Sequence, residues 1–254
     1  MQSEQFQQNW SATDYQQHAA FVPQYGLAVL DLLAPQATET ILDIGCGNGT
    51  LTQEIAKRCA QVTGIDTAPD LLKEAATKGL HVLNMDAQHL ELQEQFDAIF
   101  SNAAIHWMKD QNAVVKGVRS VLKKGGRFVG EFGGHGNIAA IQTALLASLE
   151  KEGINGEERN PWIFPSEKAF RGILESNGFE VISLALIPRP TPLPTDIEGW
   201  LKTFANPFFD GLDDSTRSKV LANTVCLLKS SLCTEDGHWT ADYVRLRFQA
   251  KATI

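Results

Sequence analysis

The feature that most constrains this fold is an apolar run ending in alternating glycines: Thr40-Ile41-Leu42-Asp43-Ile44, then Gly45-Cys46-Gly47-Asn48-Gly49. A short apolar stretch bounded by glycine suits a strand buried in a parallel sheet. Thr50 to Lys57 then reads as helix. Strand, glycine turn and helix in that order put the turn at the carboxyl edge of an open sheet, where such folds bind ligands. Glycines there let the backbone turn tightly and approach a bound molecule.

The alternation repeats downstream. Gln61 to Ile65 reads as a second strand that stops at Asp66, and Asp70 to Thr77 as a helix stopped by Gly79. His81 to Met85 is a third strand ending at Asp86, and Phe96 to Ser101 a fourth. Gln111 to Leu122 is helical, and Gly125-Gly126 leads into a strand from Arg127 to Phe132. Repeated βα units predict a doubly wound, mostly parallel sheet with helices on both faces, a Rossmann-like α/β fold. Beyond Phe132, Ile138 to Glu152 reads as an extra helix and Gly153 to Pro165 as a loop. Ser166 caps a helix reaching Ser176. Phe179 to Ile187 is a strand, and Pro188 to Pro194 a stiff extended connector. Asp196 to Leu232 reads as helical, and Tyr243 to Ala250 as the last, antiparallel strand. Ahead of the sheet, apolar spacing over residues 13–33 predicts one or two helices with a break or kink at Pro23. The expected division is N-terminal lid helices (1–37), a core (38–187 with 239–254) and a helical lid insertion (188–238), with 136–165 grouped with the lid.

With 254 residues, 43% of them hydrophobic, the chain can bury a substantial core as one domain plus a lid. Net charge is −8 and no long Lys/Arg run occurs, so neither nucleic-acid backbones nor anionic membranes are expected partners. No secretory signal or membrane span is expected either. The four cysteines (Cys46, Cys59, Cys226 and Cys233) form no CxxC pair. They read neither as a disulfide framework nor as a metal site, which fits a reduced, cytoplasmic setting.

The glycine spacing narrows the ligand. A dinucleotide fingerprint beginning at Gly45 would want glycine at position 50, which is Thr50; the glycines fall instead at 45, 47 and 49. Leu42-Asp43-Ile44-Gly45-Cys46-Gly47-Asn48-Gly49 resembles the first motif of class I S-adenosylmethionine-dependent methyltransferases. Gly64-Ile65-Asp66, Asp86-Ala87, the stretch from Phe96 to Asn102, and that from Leu122 to Phe128 resemble the later motifs, in order. The resemblance covers roughly residues 38–134. It implies a seven-stranded sheet with an antiparallel last strand, and S-adenosylmethionine as cofactor. Asp66 then lies at the ribose and accepts both hydroxyls, and the adjacent Thr67 belongs to the cofactor site. Asp86 and the Ala87 N–H fall to the adenine, and Asp43 and the Asn102 backbone to the methionyl ammonium. Gly45 and Gly47 pass close to the ligand, with the Cys46 backbone lining the pocket. On this reading Asp66→Ala weakens cofactor binding strongly with little effect on folding.

The outer segments resemble a narrower group, the methyltransferases similar to trans-aconitate methyltransferase. The resemblance lies in Trp10 to Tyr15 with Ala20-Phe21-Val22, in Ser101 to Trp107, and in Ile197 to Asp210. It implies that Tyr15 belongs to the cofactor site and that a small carboxylic acid is O-methylated. One departure is that no arginine lies between Lys202 and Arg217, where that group carries one suited to a carboxylate. Trp10, Trp107, Trp162, Trp200 and Phe204 are instead expected to line a more apolar acceptor pocket. His106 and His135 follow strands four and five and are candidate general bases. The expected reaction is O-methylation of a carboxylate or hydroxyl on a small molecule. Competing readings are methyl or methylene transfer to an acyl chain or other carbon, a nicotinamide-dependent oxidoreductase, and a protein that holds the cofactor without catalysis. The βαβ unit and Asp66 allow the oxidoreductase, but no catalytic Tyr-Lys pair is evident.

Overall fold

The apolar runs form strands β1 (Thr40–Ile44), β2 (Gln61–Asp66), β3 (His81–Asn84), β4 (Phe96–Asn102), β5 (Leu122–Gly133), β6 (Phe179–Pro192) and β7 (Thr240–Ala252) in the computed structural model, which describes residue 8 and residues 21–253. They make one seven-stranded sheet in the order β3-β2-β1-β4-β5-β7-β6. β1 pairs in parallel with both β2 and β4, and β4 with β5. β7 runs antiparallel to β5. The order reverses between β1 and β4, so the glycine turn after β1 sits at the switch point.

Two compact units divide the chain. The sheet unit comprises Ala20–His135, Trp162–Ile187 and Arg245–Ile254; the other includes Gly136–Pro161 and Pro188–Val244. In the sheet unit, helix α1 (Phe21–Leu33) packs Val29, Leu30 and Leu33 against Ile41, Phe100 and Val129. On the opposite face, α4 (Gln111–Val121) and α6 (Glu167–Ser176) bury Val114, Val118, Phe170 and Leu174 against Ile44, Phe128, Phe132 and Phe248. Phe128, Phe132 and Phe170 each meet a second ring near edge-on at centroid distances of 4.8–5.0 Å. Such pairs add about 1 kcal/mol beyond the apolar area they bury. In chain order α2 (Thr50–Ala56) and α3 (Pro69–Thr77) come between α1 and α4.

The second unit is largely helical: α5 (Ala139–Lys151), α7 (Ile197–Phe204), α8 (Asn206–Phe209) and α9 (Asp214–Leu232). Asp196 and Asp213 cap α7 and α9 by accepting the N–H groups of Gly199 and Thr216. Asp242 accepts from the Ala140 N–H at the start of α5, next to Ile138, whose φ is +47°.

Several expectations are corrected in detail. Helix α1 runs through Pro23 from Phe21 to Leu33 without a break, and residues 13–20 of the expected helical stretch lie outside the described residues. The proline-rich segment continues β6 as far as Pro192 rather than forming a separate connector. It can do so because β6 is an edge strand, where a missing donor disrupts nothing. The stretch expected to be one helical region breaks into three helices. No described helix is long and apolar enough to cross a membrane.

Candidate active site

The loop after β1 is held from below. The N–H groups of Gly45 and Cys46 both donate to the Ile65 carbonyl, at 2.8 and 3.0 Å. Gly45, Gly47 and Gly49 all have positive φ (+72°, +53° and +77°), a conformation that costs other residues about 1–2 kcal/mol each. The three glycines do different work. A Cβ on Gly45 would lie 2.1 Å from the Ala104 Cβ, and one on Gly49 would run into Leu80 and Ala75. A Cβ on Gly47 would meet only Leu71, at 3.9 Å. Gly45 therefore lets the loop seat against the turn after β4, and Gly47 faces open space.

Asp66 ends β2 with its carboxylate under the loop. Its Oδ2 accepts from the Gly47 N–H and its Oδ1 from the Ala68 N–H, each at 2.9 Å. Burial pushes its pKa up, against the pull of these backbone donors. Asp43 is 2% exposed on β1 and accepts from the Thr52 hydroxyl at 2.7 Å. Burial pushes its pKa up to about 7, with the Thr52 bond pulling down and Asp66 pushing further up. Asp86 caps the turn Ala87–His89, accepting from the Gln88 N–H at 2.9 Å and from the Gln88 side chain. Ala87 is buried, Thr67 exposed and Asn102 partly buried. The Cys46 thiol is buried against Gly64 and pushed up by that burial, which makes it inert packing rather than a nucleophile.

Around the next turn, His106 is buried, and its Nδ1 accepts the Gly133 N–H at 3.3 Å. Its ring neighbours Trp107 and Phe164, and Trp162 stacks on Phe164. Trp107 and Trp162 meet edge-on at 5.8 Å, so the sheet unit brings these two expected pocket residues together at His106. Trp200 and Phe204 form a separate pair in the helical unit, where the Trp200 indole donates to the Tyr243 hydroxyl at 2.6 Å. His135 is exposed. Trp10 and Tyr15 lie outside the described residues.

Residues 42–130 match the methyltransferase domain family. The chain is 38% identical over 255 residues to the uncharacterized methyltransferase C70.08c of Schizosaccharomyces pombe, covering 95% of this chain and 97% of that one. This chain is a class I S-adenosylmethionine-dependent methyltransferase. It is also 25% identical over 226 residues to the trans-aconitate 2-methyltransferase of Klebsiella pneumoniae, covering 87% of the methyltransferase and 88% of that relative. An S-adenosylmethionine-dependent methyltransferase from Mesorhizobium loti shares the fold at a TM-score of 0.56 and 17% identity, covering 89% of this chain and 96% of that one. The nicotinamide reading is thereby set aside.

The side chains fit this cofactor. A buried carboxyl with one hydroxyl donor is poorly satisfied as an anion, and an ammonium would supply the missing charge. Asp66 keeps lone pairs beyond those used by Gly47 and Ala68, enough for a diol. Sequence reasoning missed the approach of Ala104 to Gly45 and the ion pair of buried Glu131 with half-buried Arg247 (2.7 Å), because neither lies in a glycine or acidic motif.

Proposed function

We propose that this methyltransferase transfers the methyl group to an oxygen of a small carboxylic acid, giving an ester. When bound, S-adenosylmethionine supplies a methyl on a sulfonium, and a neutral thioether remains once an oxygen lone pair has taken it. A hydroxyl acceptor must also lose a proton to a base, whereas a carboxylate arrives already ionised.

One observation carries this reading: His106 is a donor. Its Nδ1 receives the Gly133 N–H, so the neutral ring carries its proton on Nε2. Burial and the charge of Arg245 hold the imidazole well below its ordinary pKa of 6.5, so taking up a second proton is disfavoured. A ring in this state stabilises an anion better than it accepts a proton. The trans-aconitate 2-methyltransferase among the relatives supports the same chemistry. The Trp107, Trp162 and Phe164 rings beside His106 suit an acceptor with an apolar body.

The test is a panel of carboxylic acids, phenols and alcohols with labelled cofactor. Base-labile methyl esters are expected, with kcat flat between pH 6 and 8. Base-stable ethers, or a kcat limb that follows an imidazole, would refute the reading.

For the cofactor, Asp66 with neighbouring Thr67 is assigned to the ribose. Asp86 and the Ala87 N–H take the adenine, and Asp43 with the Asn102 backbone the ammonium. The raised pKa of Asp43 makes this testable. A carboxyl whose pKa rises on folding favours the fold when protonated. Its contribution is therefore lost as pH climbs from 3.8 through about 7. A docked ammonium favours the carboxylate instead, so binding must release a proton. Calorimetric titration with S-adenosylhomocysteine at pH 6–7, in two buffers of different ionisation enthalpy, should show that release. Asp43→Asn should remove most of it. Equal release in the variant would mean that Asp43 does not face the ammonium.

A further inference from the structure

We propose that the side-chain amide of Asn102 donates an N–H to the carboxylate of the cofactor's methionyl group, beside helix α1. The proposal extends the assignment of Asp43 to the methionyl ammonium and rests on it.

That end of the cofactor carries an ammonium and a carboxylate on one carbon, so their two partners must share one face of the sheet. The pairing of β1 with β4 provides this. Asp43 lies opposite Phe100 in parallel register, which puts both side chains on one face. Asn102 follows Phe100 by two residues and shares that face. The Ser101 hydroxyl donates to the Ile44 carbonyl at 2.9 Å and ties the two strands at this level. Helices α1 and α2 cover the same face: Leu30 and Ile55 cluster with Phe100, and Asp43 bonds Thr52 of α2.

The glycine loop has few donors to spare for a carboxylate. Its Gly45 and Cys46 N–H groups go to the Ile65 carbonyl, that of Gly47 to Asp66, and that of Gly49 to the Cys46 carbonyl. Asn102 has what the loop lacks. Among the described residues none hydrogen-bonds its side-chain amide, and neither amide atom is sealed from solvent. The amide is nonetheless closely packed. A Cβ on buried Gly26 of α1 would stand 3.0 Å from its Nδ2 and 3.2 Å from its Cγ. Glycine is unfavourable inside a helix, and here it lets the α1 backbone pass directly beside the amide. A donor group held against a helix, with its N–H groups unspent, binds an anion at little cost in ordering. Asn102 thus serves the ammonium with its backbone and the carboxylate with its side chain.

The test is calorimetric and needs no turnover. The full chain is titrated with S-adenosylhomocysteine, with its analogue lacking only the carboxylate, and with its analogue lacking only the ammonium. Loss of the carboxylate is expected to weaken wild-type binding about tenfold or more. Asn102→Ala should weaken S-adenosylhomocysteine by a similar factor and leave the decarboxylated analogue unchanged. Asn102→Asp sets like charges together. It should weaken S-adenosylhomocysteine further and bind the decarboxylated analogue at least as tightly as the wild type does. If Asn102→Ala does not fold, the isosteric Asn102→Asp carries the test through this reversal of preference. The amide assignment is overturned if the wild type binds the decarboxylated analogue as tightly as S-adenosylhomocysteine, or if the Asn102 variants lose nothing or lose equally for both. Asp43→Asn should weaken S-adenosylhomocysteine and the decarboxylated analogue but spare the analogue without the ammonium. That pattern with failed Asn102 arms would leave the ammonium assignment standing without the amide. Selective loss in the Asn102 variants with no selectivity in Asp43→Asn would keep the amide and remove Asp43 from the ammonium.

Discussion

Gly45→Ala is expected to lower stability by roughly 3 kcal/mol and to abolish measurable cofactor binding. Two costs add. Alanine at φ +72° pays the left-handed penalty, and its Cβ would stand 2.1 Å from the Ala104 Cβ. The loop and the turn after β4 must then separate, and both border the site. For a domain of this size the fall in Tm is on the order of 10 °C. Gly79→Ala is the control. Its φ is +76°, but nothing lies within 4 Å of the added Cβ, so it pays the backbone cost alone, about 1 kcal/mol. Ala104→Gly placed in the Gly45→Ala background should recover part of both losses. A Gly45→Ala protein melting like Gly79→Ala, or no recovery in the double variant, would show that the close approach to Ala104 is unimportant.

Asp66→Ala is expected to raise the cofactor dissociation constant about 100-fold or more, from two charge-assisted hydrogen bonds at about 1.5–3 kcal/mol each. The sequence reading expected little effect on folding, and the structure changes that. The same carboxylate accepts the Gly47 and Ala68 N–H groups. Removing it strips two loop donors of their acceptor, a further loss of about 1–2 kcal/mol in the unliganded protein. Asp66→Asn keeps an acceptor oxygen and should be milder in both respects. Calorimetry for affinity and thermal melting for stability separate the two effects. Wild-type affinity in Asp66→Ala would remove the ribose assignment.

The core of the fold was legible because each βα unit is written locally. β1 matches its expected span, Thr40 to Ile44, since an apolar run cut off by Gly45 leaves no other reading. Ser166 was readable as a cap for the same reason: the bond it makes, to the Ala169 N–H, lies within one turn. The prolines of β6 misled because an edge position is a property of the sheet and not of the segment.

The glycine loop shows the same divide. Its spacing, with Asp43 before it and Asp66 after, by itself pointed to the family and the methyl donor, because the acid, the glycine turn and the second acid all lie within one βαβ unit. Which glycine faces open space and which makes room for Ala104 was decided only by tertiary structure. So was the state of His106, set by a hydrogen bond from Gly133, 27 residues away. The meeting of Gly133 with Arg245 depends on antiparallel pairing across more than 100 residues of chain. Contacts of that range carry no local signal, because pairing register is fixed by the assembled sheet and not by neighbours in sequence.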